Sequence, residues 1–279
     1  MRVFKRSILL FCTLILTFSI ISTSIQTKSR FFVSGKADDL VSYYGISNQV
    51  TKKYQDKDKN ITDIKVTLDT VKHQVKVPVL SQSHLNYAYN TTYDLYNKPD
   101  DSNYADNSCS VVASTCIIKY YETEKYNQKM DATSLFIKLY RDITLKGWTS
   151  ATNGTIGTKH DNIVNHGFKN IVGSKNVAEN KWYDTKERIE NNLKKGNPLM
   201  FTLPDHAVVA TGLLKAHVTY TTKQTTGILW WKKTSTVTKS HIEEYIEVMN
   251  GWGYHSYINA SMISNVFNGN ITTPIKIND

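Results

Sequence analysis

Asp106-Asn107-Ser108-Cys109-Ser110-Val111-Val112-Ala113-Ser114-Thr115-Cys116-Ile117-Ile118-Lys119-Tyr120-Tyr121 passes from a polar turn into an apolar run. Read as a helix, the run puts Cys109 in its first turn. The leading N–H groups of a helix have no internal acceptor and lie at the positive end of its dipole, so a thiolate there is favoured over a thiol. A lone cysteine before an apolar helix is otherwise a small buried hydrophobe, so the reading depends on partners elsewhere in the chain. Two follow in a usable order. His206 opens His206-Ala207-Val208-Val209-Ala210-Thr211-Gly212, and Asn250 lies in Val248-Met249-Asn250-Gly251-Trp252-Gly253. Nucleophilic chemistry needs an imidazole to take the thiol proton and return it to the leaving amine, and a third polar group to fix the tautomer of that imidazole.

With these three motifs, Cys109-x-x-x-Ala113 ending in Tyr120-Tyr121, the His206 strand and the Asn250-Gly251-Trp252-Gly253 strand end, the chain resembles the papain-like cysteine peptidases. Within them it is most similar to the bacteriocin-processing (double-glycine peptidase-like) domains and their secreted bacterial relatives. The resemblance runs from about Val77 to Asp279 and departs from the family at one point, where Ser110 stands in place of the glycine usual after the nucleophile. It implies an α+β fold with an N-terminal helical half carrying Cys109 and a C-terminal antiparallel sheet carrying His206 and Asn250. It also implies a donor for the developing oxyanion. In the family a Val-Pro-x-x-x-Gln element supplies it, which here is Val77-Pro78 to Gln82, with Asn103, six residues before the cysteine, as the fallback. Such a donor matters because the tetrahedral oxygen carries charge in a dry site. No cofactor or metal is expected, and no metal-ligand cluster or repeat is present in the pattern.

The 279 residues suffice for one sizeable domain with a leader. Arg2, Lys5 and Arg6 precede an apolar run from Ile8 to Ile21, followed by Ser22-Thr23-Ser24, which reads as a signal peptide over residues 1–25. Secretion or cell-surface association follows, with a retained membrane anchor as the other reading. The formal charge of +10 would fall to +7 on removal of that leader. A basic surface suits an anionic cell wall or membrane, and the lack of a basic stripe with interleaved aromatics argues against nucleic acid. Only Cys109 and Cys116 would remain. On one helix their Cα atoms would stand about 10 Å apart, beyond the roughly 7 Å reach of a disulfide, so both thiols stay free.

Residues 26–76 are polar, without a sustained apolar period. They read as a surface linker or strand pair, or as a pro-segment, ahead of a peptidase domain at 77–279. Val75 to Leu80 alternates like a strand, and the Tyr- and Asn-rich 86–104 reads as an insertion. Asp131 caps a helix over 132–146 with a stripe of Leu135, Phe136, Leu139, Tyr140 and Ile143, stopped by Gly147. A loop over 148–158 has Gly154 and Gly157, which would let backbone approach an extended substrate. A short helix over 158–166 ends at Gly167, with His160 and His166 on the surface. Asp184-Thr185-Lys186-Glu187 reads as a capping box, opening a helix to Lys195 before a buried strand at 199–203. The stretch 218–239 reads as a long hairpin whose Ile228-Leu229-Trp230-Trp231 tip, flanked by lysines, is either an interaction or membrane-touching patch or core.

The resulting expectation is a monomeric, secreted thiol protease hydrolysing polypeptides through Cys109, His206, Asn250 and Gln82. A cell-wall peptidoglycan amidase or endopeptidase also fits the charge, though not the Asn-Gly-Trp-Gly ending. A catalytically silent surface-binding module acting through Trp230 and Trp231 is the third reading.

Overall fold

The computed structural model describes residues 37–97, 104–125, 131–155, 159–181, 186–203, 205–228, 230–263 and 271–276. The expected signal peptide, Asn103, Gly157 and the Asp184-Thr185 cap lie outside the described residues. Among those described, no helix is long and apolar enough to cross a membrane.

The fold is α+β. Helix α1 (Gly45–Lys57) and strand β1 (Ile61–Leu68) come first, followed by α2 (Gln82–Thr92), α3 (Cys109–Lys119), α4 (Ala132–Leu145), the small hairpin β2 (Thr149–Ser150) with β3 (Gly154–Thr155), and α5 (His160–His166). Strand β4 (Val177–Lys181), helix α6 (Lys186–Lys194) and strands β5 (Leu199–Thr202), β6 (Ala207–Thr226), β7 (Lys233–Met249), β8 (His255–Asn259) and β9 (Ile271–Lys276) complete it. All the strands but β2 and β3 form one antiparallel sheet, in the order β4-β9-β5-β6-β7-β8 with β1 paired to β6. One edge of β6 is shared, with β5 along its first residues and β1 along its distal part.

Helix α3 lies at the centre of the helical layer. Every residue from Ser110 to Ile118 is buried, which explains why its sequence is apolar all round rather than striped. Helix α4 covers it with the expected stripe of Leu135, Phe136, Leu139, Tyr140 and Ile143, all buried, and the Asp131 carboxylate accepts from the Ser134 N–H at 2.8 Å to cap it. Gly167 does not end α5. It stays in the right-handed helical region and the chain continues as a π-turn over Gly167–Ile171. Its missing side chain is a packing requirement, because a Cβ there would meet Ile118 Cδ1 at 2.2 Å.

From Ala37 onward the polar N-terminal stretch is built into the same body. Strand β1 pairs with β6 from Ile61↔Thr222 to Leu68↔Ala216. Ile46, Val50 and Tyr54 of α1 form a second apolar cluster with Ile61, Leu214, Ala216, Val218, Tyr245 and Tyr257. These residues recur every four positions, a helical period too brief to stand out in a charged stretch, and the sheet supplies the rest of the core. Two buried carboxylates fasten the join. Glu243 accepts from Lys53 Nζ at 2.8 Å and Asn259 Nδ2 at 2.7 Å. Glu247 accepts from Gln74 Nε2, Thr211 Oγ1 and Tyr257 OH at 3.1, 3.0 and 2.9 Å. Residues Val75 to Leu80 bury Val75, Val77 and Leu80 but form no strand, consistent with Pro78 having no N–H for a ladder.

Candidate active site

The turn before α3 is held from both flanks. Asn90 exchanges two hydrogen bonds with the backbone of Ala105, at 3.0 and 2.7 Å. Asn107 takes the left-handed conformation (φ 35°), and its amide donates to the carbonyls of Ala151 and Thr152 at 2.7 and 3.4 Å. The β2–β3 hairpin is thereby tied to the turn. Gly154 makes the approach feasible, since a Cβ would press on the Asn107 carbonyl at 3.2 Å. That glycine therefore serves a contact within the chain. Cys109 follows as the first residue of α3, half-buried, with a free thiol.

His206 is set in the turn between β5 and β6. Leu203 N–H donates to the His206 carbonyl at 2.7 Å, and the residue is only 8 % exposed. Its Nε2 lies 2.6 Å from the backbone carbonyl oxygen of Asn250. A carbonyl can only accept, so Nε2 carries the proton, and Nδ1 is the nitrogen left for the sulfur. The Cys109 and His206 side chains face each other closely enough to shift each other's ionisation. Trp252 lies flat on the imidazole, with ring centroids 5.1 Å apart and planes 20° apart.

The electrostatics follow from that pairing. Burial pushes the Cys109 thiol up, but the His206 imidazole and its charge, the Ala207 N–H and the Ser110 hydroxyl outweigh it, leaving the thiol below its ordinary value. Burial pulls His206 down, yet the thiolate and the Asn250 carbonyl favour its cation and hold it above the ordinary histidine value. A thiolate–imidazolium pair is the state that both shifts favour. Cys116, fully buried with nothing to offset desolvation, has its pKa raised instead.

The tautomer-fixing group differs from the one expected. The side chain of Asn250 is fully buried and points elsewhere. Its Nδ2 donates to Ser256 Oγ at 2.6 Å and its Oδ1 accepts from Trp252 N–H at 2.8 Å. The histidine is oriented by the main chain of Asn250, and the amide fixes that main chain and the tryptophan over the ring.

Gln82 is the first residue of α2, and its N–H donates to the Gly251 carbonyl at 2.6 Å, which brings it beside the Asn250 turn. One helical turn on, Asn86 Oδ1 accepts from Ser108 Oγ at 2.6 Å. Residues four apart share a helix face, so Gln82 lies on the face of α2 that meets the nucleophile turn. The stretch from Asn86 to Thr92 is accordingly helix rather than insertion.

His160 and His166 are not surface groups. His160 is 2 % exposed and its Nε2 lies 2.8 Å from Ser110 Oγ, while His166 Nε2 lies 2.9 Å from Asp142 Oδ2. Ser110, in the position where the resembled family has glycine, thus uses its hydroxyl to bind a buried histidine fifty residues away. Asn86, Ser108, His160 and Ser256 were all missed from sequence. Only the four-residue spacing of Gln82 and Asn86 offered a signal.

Among the described residues no group of His, Cys, Asp or Glu is arranged to hold a metal ion. The architecture defines an α+β protein with a cysteine–histidine pair at a helix N-terminus. Comparison with known protein families, curated proteins and solved structures finds no match to this chain.

Proposed function

We propose that the chain is a papain-like cysteine peptidase, secreted or held at the cell surface, that hydrolyses polypeptides. The observation that carries this reading is the facing, electrostatically coupled Cys109–His206 pair, with the sulfur at the start of a buried helix and the imidazole tautomer set by a carbonyl. In the proposed reaction the thiolate adds to a peptide carbonyl, forming a C–S bond and an oxyanion held by the Cys109 N–H and the Gln82 amide. As the C–N bond breaks, the imidazolium passes its Nδ1 proton to the departing amine. Water then gives a proton to Nδ1 and adds to the acyl carbon, and the C–S bond breaks to release the acid. The thiolate, the imidazole and the attacking water supply every proton and electron pair, and no cofactor takes part.

The test is to incubate the protein with an unfolded casein-like polypeptide and, separately, with purified peptidoglycan. Polypeptide cleavage that falls by about 10⁴-fold or more in Cys109→Ala supports the reading. Release of wall fragments without proteolysis moves the chain to the amidase class, and cleavage unchanged in the variant overturns the assignment of the nucleophile.

A further inference from the structure

The β6–β7 hairpin outruns the body of the protein. Strand β1 leaves the edge of β6 at Thr222, and the last four rungs, Lys223↔Thr236 to Thr226↔Lys233, belong to a two-stranded arm about 14 Å long before its turn. Every described residue from Lys223 to Ile242 is exposed except Val237, which is intermediate. At the tip Ile228, Trp230 and Trp231 are 81, 88 and 84 % exposed, so the core-packing reading of this cluster is excluded.

Three observations on the arm point to one kind of partner. Its side chains are one-sided in charge: between Asp205 and Glu243 the chain has five lysines and no carboxylate. Its apolar groups are the kinds suited to a membrane interface, with two indoles, which prefer the headgroup level, and an aliphatic side chain beside them. Its backbone is paired along both strands up to the turn. The ladder runs to Thr226↔Lys233, and Trp231 N–H donates to the Ile228 carbonyl across the turn at 3.2 Å. The turn is tight only because Gly227 has no Cβ, which would otherwise lie 1.7 Å from the Trp231 carbonyl. A tip whose strands are paired to the turn, and whose turn is closed by a backbone hydrogen bond, strands fewer peptide groups in a poorly hydrated layer than an open loop would.

We propose that this arm is a membrane-seating device, which places Ile228, Trp230 and Trp231 in the interface of an anionic lipid bilayer while Lys223, Lys232 and Lys233 meet its headgroup phosphates. A wall polymer would use the lysines but has no use for an exposed isoleucine. The arm's role stands on the hairpin alone and is independent of the Cys109 chemistry.

The experiment is cosedimentation of the full chain with phosphatidylcholine vesicles, with and without about 30 % phosphatidylglycerol, followed also by tryptophan emission. Binding to the anionic vesicles with a blue shift, weakening with salt, is the expected result. Trp230→Ala/Trp231→Ala should weaken it about tenfold or more, and Lys232→Ala/Lys233→Ala by about 25-fold, near fivefold per lysine. Thermal unfolding of both variants should match the parent, since all four side chains face solvent. Undiminished binding by the tryptophan variant, equal binding to neutral vesicles, or retention on purified sacculi with none on vesicles overturns the proposal.

Discussion

Cys109 and His206 carry shifts of opposite sign that depend on each other. The thiol is lowered and the imidazole raised, so the ion pair exists from the pH at which Cys109 ionises up to the pH at which His206 loses its proton. Below that window the sulfur is protonated, and above it no general acid remains. Turnover should follow a bell with an acid limb below the ordinary thiol range and an alkaline limb above the ordinary histidine range, and iodoacetamide should alkylate Cys109 well before Cys116 at neutral pH. The same profile separates the two roles of Asn250. Asn250→Ala leaves the carbonyl but strands Trp252 N–H and Ser256 Oγ, at a cost of about 2 kcal/mol. Activity should drop about tenfold with the alkaline limb in place. An alkaline limb moved to lower pH would show that the amide itself holds the imidazole. The cysteine, histidine and asparagine were legible in sequence because each opens or closes an apolar element. Which atom of Asn250 faces the ring was not, because main-chain direction at a strand end is decided by the turn beyond it.

At the level of elements, legibility followed the locality of the cause. The cap and stripe of α4 are written within fifteen residues, and the structure reproduces them. Gly167 shows the reverse case. In sequence a glycine after a short helix reads as a stop, whereas here it marks the point at which α5 and its π-continuation press on Ile118 of α3, some fifty positions earlier. Gly167→Ala should therefore destabilise the protein despite the better helix propensity of alanine. Overpacking of about 1–3 kcal/mol is expected, seen as a lower denaturant midpoint at unchanged slope. A neutral or stabilising result would mean that the glycine is a helix end after all. His160 was hidden for the same reason, since its partner Ser110 belongs to another helix and nothing near it in the chain announces burial.

For the whole molecule, the segment before Val77 decides whether the sheet can exist unaided. Ile46, Val50, Tyr54 and Ile61 are buried against the middle of β6 and against β7 and β8, and such side chains contribute roughly 1.5–3 kcal/mol each. Together they rival the entire net stability of an ordinary domain, about 5–15 kcal/mol. Their removal would also strip Lys53 and Gln74 from two buried carboxylates. A chain beginning at Val77 should be insoluble or unfolded, whereas one beginning at Ala37 should unfold cooperatively near the full-length temperature. Comparable unfolding temperatures for the two would show that the N-terminal stretch is dispensable to the fold. One last consequence comes from β6. Its twenty residues start beside the imidazole and end at the tryptophan turn, a span of roughly 60 Å at strand rise. The same strand thus joins the Cys109–His206 pair to the shaft of the arm, and it acts as a ruler: on the two proposals above, whatever surface gripped its far end would set the distance between that surface and the sulfur.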